Sequence, residues 1–135
     1  PRMCRGMLLR TLASNRPFRW AAVATWMAVI FFLSSRSRLP LLPLGWAEAL
    51  QDIAGHFAAY GVLAGLLAWA LSGSGVAHPL GWSLVLALLY SLSDEFHQSF
   101  VPGRHPDVFD ILTDAAGAAS ILLFLKHLRR RRSLR

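Results

Sequence analysis

The stretch Ile53–Ser93, IAGHFAAYGVLAGLLAWALSGSGVAHPLGWSLVLALLYSLS, contains no Asp, Glu, Lys or Arg. A helix crosses the hydrocarbon of a bilayer with about 20 mostly apolar residues. The stretch is therefore too long for one span and suits two. Ser72-Gly73-Ser74-Gly75 and His78-Pro79 divide it, because Gly and Pro mark turns and helix starts. This predicts helices over about 53–71 and about 80–100.

Working outward, Trp20–Ser35 is a second kind of uncharged run, rich in Val, Ile and Phe. On the other side, Val101-Pro102-Gly103-Arg104 is a turn signal, Pro setting φ and Gly accepting a positive one. A further apolar segment then runs over about 107–125. Four spans consume roughly 80 residues of this chain of 135. The expected fold is all-α: a polytopic membrane protein with four transmembrane helices (20–35, 53–71, 80–100, 107–125) in a small bundle. Basic tails flank the 20–125 membrane domain at 1–19 and 126–135. A small soluble domain has too little interior for a chain that is 55% hydrophobic and 16% charged. One cysteine, Cys4, excludes an internal disulfide. No A-x-A-like cleavage site follows the first span, which predicts an uncleaved anchor.

The net charge of +7 is unevenly spread. Arg2, Arg5, Arg10, Arg16 and Arg19 lie before the first span; Lys126, Arg129–Arg132 and Arg135 follow the last. All seven acids lie between Glu48 and Asp114. Basic flanks stay on the cytoplasmic side. Two basic tails therefore require an even number of spans and put both termini in the cytoplasm. The basic runs read as topology signals attracted to anionic lipid head groups, not as a nucleic-acid surface. Leu39, Leu41, Leu42, Leu44 and Trp46 predict a first outer loop lying along the interface.

This topology gathers polar residues near the outer ends of three helices. Asp52, His56 and Tyr60 are spaced by four and form one stripe. Ser91, Asp94 and Gln98 form another, with His97 beside it and Glu95 about 100° away. Asp107, Asp110 and Asp114 share a face of the last helix, and Arg104 follows the tight turn. Ionisable groups inside a span are costly and mark function by default. The competing account is a satisfied network that only fixes helix register. Gly61-x-x-x-Gly65 and Ala115–Ala119 offer small faces for close helix packing. For the glycine pair alone, the plainer reading is that small residues are common in membrane helices.

The segment SDEFHQSFVPGR (Ser93–Arg104), followed by Asp110 and Gly117, resembles the signature of the VanZ-like family. Ile30-Phe31-Phe32-Leu33-Ser34-Ser35 and Asp52 with His56, Phe57 and Tyr60 agree with it, so the resemblance spans about residues 20–125. It implies a small integral membrane protein of the bacterial plasma membrane, in a family named for a teicoplanin-resistance protein. Two positions depart from the family's usual residues. Ile53 stands where Lys is usual, and Asp114 stands where Asn is common.

The leading functional expectation is an outward-facing polar pocket that recognises a lipid-linked or glycopeptide ligand at the cell envelope. Its residues are Asp52, His56, Tyr60, Asp94, Glu95, His97, Gln98, Arg104, Asp110 and Asp114. Arginine suits phosphate or carboxylate recognition through its bidentate fork. The alternative is an intramembrane acid/base or metal-dependent enzyme acting on a lipid head group. Carboxylates and histidines supply such chemistry. Asp94-x-x-His97 lacks the second Glu-x-x-His copy of a di-metal bundle, and H-E-x-x-H and G-x-S-x-G are absent. No metal or cofactor is therefore expected. Proton translocation ranks third, since the inner halves of the helices are almost wholly apolar. Membrane lipids are the expected partners, and oligomeric state is not legible.

Overall fold

The computed structural model describes residues 15–36 and 45–134, with side chains from residue 50 in the second stretch. Cys4, the basic residues before Asn15, the expected interfacial loop and the side chains of Trp46 and Glu48 lie outside the described residues. The described chain forms four helices and no strand: α1 (Arg16–Ser34), α2 (Gly45–Gly73), α3 (Pro79–Gln98) and α4 (Val108–Ser133). Three segments are long and apolar enough to cross a membrane: Arg16–Ser34, Leu50–Gly73 and Val108–Ser133. α3 has a comparable length, but its polar residues keep it below that apolarity.

Several helix ends differ from the sequence expectation. α1 begins at Arg16, α2 begins at Gly45 and α4 runs on to Ser133 through the basic segment. The reason is that charge marks the edge of the hydrocarbon, while Arg, Lys, Glu and Gln are themselves good helix formers. Asp52 consequently sits inside α2 and not in a loop before it. The turns match better. Pro79 starts α3 after His78, and Val101–Arg104 closes with Arg104 N–H donating to Val101 O at 3.1 Å. Gly103 takes φ +81°, the left-handed region that Gly enters without a Cβ clash.

α2 is the central helix and packs against the other three, most extensively against α4, whereas α1 and α3 meet mainly through side chains. His56 meets Asp114 near one end and Ser72 meets Arg129 near the other, so α2 and α4 run parallel. Their crossing is built from glycine. A Cβ on Gly61 would lie 3.3 Å from Gly117 O, and one on Gly117 would overlap the Phe57 backbone. The Gly61-x-x-x-Gly65 face is therefore a true packing surface, with Gly65 facing Ile121. At the opposite end of α2, Arg16 Nε donates to Gly73 O at 3.0 Å and Arg19 Nη1 to Trp69 O at 2.8 Å. Gly73 O is a last-turn carbonyl that no helical N–H reaches, and both cations stand where the helix dipole favours positive charge.

The interior is polar where the surface is apolar. Ser83, Ser91, Asp94, Glu95, Gln98 and Asp114 are buried, while Phe31, Phe32, Leu89, Phe96 and Leu123 are exposed. Water would favour the reverse arrangement, and hydrocarbon favours this one. The Leu63, Ala64, Leu67 and Ala68 positions of α2 form the apolar part of the core, with Val23 and Ile30 of α1 and Ala118 and Leu122 of α4.

Candidate functional site

The site begins with the α2–α4 crossing, because the short interaxial distance lets side chains of one helix reach the other. His56 lies about one turn before Gly61 on α2, and Asp114 lies three residues before Gly117 on α4. His56 Nδ1 and Asp114 Oδ1 stand 3.0 Å apart. A carboxylate only accepts, so Nδ1–H donates. Asp114 Oδ2 also accepts from Ser91 Oγ of α3 at 2.6 Å. The Asp114 carboxylate, 1% exposed, thus joins three helices. His56 Nε2 points towards Asp110 Oδ2 at 3.9 Å, beyond hydrogen-bond range.

One turn before His56, Asp52 Oδ1 lies 3.7 Å from Arg104 Nη1. Arg104 Nε donates to Arg36 O at 3.3 Å, which ties the α3–α4 turn to the end of α1. Asp52, His56, Tyr60, Asp94, Gln98 and Arg104 all line one cavity of about 280 Å³. Gln98 Nε2 donates to Asp94 Oδ2 at 3.2 Å. The Tyr60 hydroxyl lies close to the Asp94 carboxylate without a well-formed hydrogen bond to it. Asp94 Oδ1, Gln51 Oε1 and the Tyr60 hydroxyl are buried and find no hydrogen-bond partner among the described residues. Such groups are uncommon in a folded interior and call for an explanation.

Two expected pocket residues, Glu95 and His97, stand apart from this group. Glu95 is buried, but its Oε2 accepts from Asp107 N–H at 3.0 Å and so joins the end of α3 to the start of α4. Asp107 itself caps α4, accepting from Phe109 N–H at 2.8 Å. His97 turns towards α1, with Nε2 3.0 Å from Ser35 Oγ and its ring 4.3 Å from that of Phe31. Asp94-x-x-His97 is thus divided between two environments and does not act as one ligand pair.

The first span, expected only as an anchor, also builds the cavity. Trp26, Val29, Ile30, Leu33 and Ser34 form one wall of the cavity. Trp26 Nε1 donates to Ala59 O at 2.9 Å, and Tyr90 of α3 donates to Met27 O at 2.7 Å. The visible signal for this role is Ser34-Ser35 at the end of an otherwise apolar run. The resulting cavity has a polar end of carboxylates, imidazole and guanidinium, and an apolar side between α1 and α2.

No curated protein and no solved structure matches the chain. The family model described as VanZ/LLP1 matches residues 18–129, which includes most of α1 and α4, all of α2 and α3, and each residue of the cluster. The sequence signature lies on the turn and helix ends that build the cavity, and the chain belongs to the VanZ-like family.

Proposed function

We propose that this protein binds the head group and proximal acyl chain of a lipid-linked envelope molecule, or the acylated part of a glycopeptide, in the cavity beside α1 and α2. The proposal includes a fourth span and a direction. α3 crosses the membrane with its polar residues inward, both termini lie in the cytoplasm, and the cavity faces the outer leaflet of a bacterial plasma membrane. The basic tails support this orientation. The exposure of the apolar residues Trp82, Val85, Leu89, Leu92 and Phe96 supports α3 as the fourth span.

The observation that carries the reading is the amphipathic lining. Asp52, His56, Asp94 and Arg104 provide charge at one end, with unpartnered Tyr60 and Asp94 oxygens among them. Trp26, Val29, Ile30, Leu33 and Val62 provide a hydrocarbon wall. Size narrows the ligand. Drug-sized molecules occupy pockets of about 300–1,000 Å³, so a cavity of about 280 Å³ holds a head group or a chain segment and not a whole glycopeptide. A lipid-tailed antibiotic would enter by its acyl part. The resulting role is a contribution to resistance of the teicoplanin type through competition for, or retention of, the acylated molecule at the outer leaflet.

The test is drug susceptibility in a sensitive bacterial host expressing wild type, Arg104→Ala or Asp94→Asn at equal membrane abundance. Wild type should raise the inhibitory concentration of teicoplanin more than that of a glycopeptide without an acyl chain, and both variants should lose the effect. Unchanged susceptibility between wild type and variants would sink the reading.

A further inference from the structure

We propose that Asp52, His56 and Asp110 bind one divalent first-row transition-metal ion, with Asp114 positioning the histidine. This goes beyond the ligand reading above and stands without it. One atom from each of the three residues lies within 4.8 Å of the others. Nitrogen and oxygen ligands bond such ions at about 2.0–2.2 Å, which sets them roughly 3.3–4 Å apart around a shared ion. The 3.9 Å between His56 Nε2 and Asp110 Oδ2 already falls in that range. It is too long for a hydrogen bond, so no direct bond closes the gap between the two atoms.

The surroundings have the form that a metal-bound histidine requires. Such a histidine donates its other ring N–H to a carboxylate, which fixes its tautomer and aims the free nitrogen at the ion. Asp114 accepts from His56 Nδ1 at 3.0 Å and is itself held by Ser91 at 2.6 Å. Asp52 and His56 come from one face of α2, four residues apart, and Asp110 comes from α4. The glycine crossing therefore holds two parts of the ligand set in register. A second observation points to a ligand in the adjoining cavity. Asp94 Oδ1 and the Tyr60 hydroxyl, on residues 4% and 1% exposed, lie near one another without a well-formed hydrogen bond and line the cavity that Asp52 and His56, though not Asp110, also line. One imidazole with two carboxylates suits zinc, manganese or iron and discriminates against magnesium and calcium. Arg104, 3.7 Å from Asp52, would then stand beside the ion and face an anionic group bound to it.

The experiment uses the purified full chain in detergent, stripped with chelator and titrated with Co²⁺ and Zn²⁺, without any envelope ligand. Wild type should bind one Zn²⁺ per chain, which displaces Co²⁺ and bleaches its visible bands, while Mg²⁺ in excess does not. His56→Ala and Asp110→Asn should weaken binding by more than about tenfold, and Asp114→Asn by about 10–100-fold. Asp52→Asn, on a partly exposed side chain, should do likewise without disturbing the fold. His105→Ala and His127→Ala, both at exposed positions, should bind as wild type does. Absence of saturable Zn²⁺ binding would overturn the proposal. So would binding that survives in Asp52→Asn and Asp110→Asn but is lost with His105 or His127.

Discussion

Replacing Gly117 by alanine adds one methyl group at the point where α4 crosses α2. A Cβ there would stand 2.8 Å from the carbonyl carbon of Phe57 and 3.0 Å from its Cα, and nearer still to its carbonyl oxygen. Non-bonded carbons rest at about 3.5–4.0 Å. The obstructing atoms are backbone within a helix, so no side chain can rotate away. The helices must separate by roughly 0.5–1 Å. That displacement would stretch the 3.0 Å contact between His56 and Asp114 beyond the ordinary hydrogen-bond range.

Overpacking of this kind costs about 1–3 kcal/mol, and a lost interhelical hydrogen bond in a membrane protein about 0.6 kcal/mol. Alanine in place of a helical glycine returns about 0.5–1 kcal/mol. The net expectation is a loss of about 1–3 kcal/mol. Gly61→Ala meets only Gly117 O at 3.3 Å and should cost less, and Gly55→Ala meets nothing within 4 Å and should be neutral or stabilising. Equilibrium unfolding of the three variants in mixed micelles, followed by circular dichroism, gives the order. ¹⁵N spectra of the histidine side chains report whether His56 keeps its partner. The reasoning fails if Gly117→Ala unfolds with wild type and leaves the His56 resonances in place.

Two other expectations concern the membrane. If α3 spans it, Leu89→Arg places a guanidinium on a lipid-facing side near mid-helix, at a cost of about 2.5–3.5 kcal/mol, and membrane-inserted protein should fall sharply. Normal yield and unchanged protease protection would show that this side of α3 does not meet lipid. In a Cys4→Ser background, Ser99→Cys should react with an impermeant thiol reagent in intact cells, and Ser133→Cys only after permeabilisation. The opposite pattern would reverse the orientation inferred from the basic tails.

Much of the site was legible because helical spacing is local. The i, i+4 relation alone puts Asp52 with His56, and Asp110 with Asp114, whatever the tertiary structure. Which stripes meet is a property of helix packing, and there the sequence was less informative. His97 looked equivalent to Asp94 in depth, yet it faces Ser35 and Phe31 of α1. Glu95 looked like one more pocket acid, yet its role at the α3–α4 junction depends on a backbone N–H that no residue pattern reveals. The helix termini were read from charge, which reports where hydrocarbon ends and not where backbone hydrogen bonding does. The same confusion shortened α4 by the basic segment up to Ser133.

The glycine crossing and the polar cluster are best understood as parts of one arrangement. Helices in lipid gain little from apolar contact with one another, so small residues and polar contacts must fix their relative position. Here Gly61 and Gly117 bring α2 and α4 close, and only at that separation can His56 reach both Asp110 and Asp114. Ser91 then attaches α3 to the same carboxylate. A purely structural network would be expected to finish with its buried oxygens satisfied, since unsatisfied ones are expensive in a low-dielectric interior. This one leaves oxygens of Tyr60, Asp94 and Gln51 without partners. The helices are held together at Asp114, where both carboxylate oxygens have partners, and these three oxygens lie on the cavity side, with Glu95 Oε1 unpartnered at the α3–α4 junction. That division supports the proposed ligand site on the α1–α2 face, while the α2–α4 crossing sets the packing and places His56 and Asp110 of the proposed metal site.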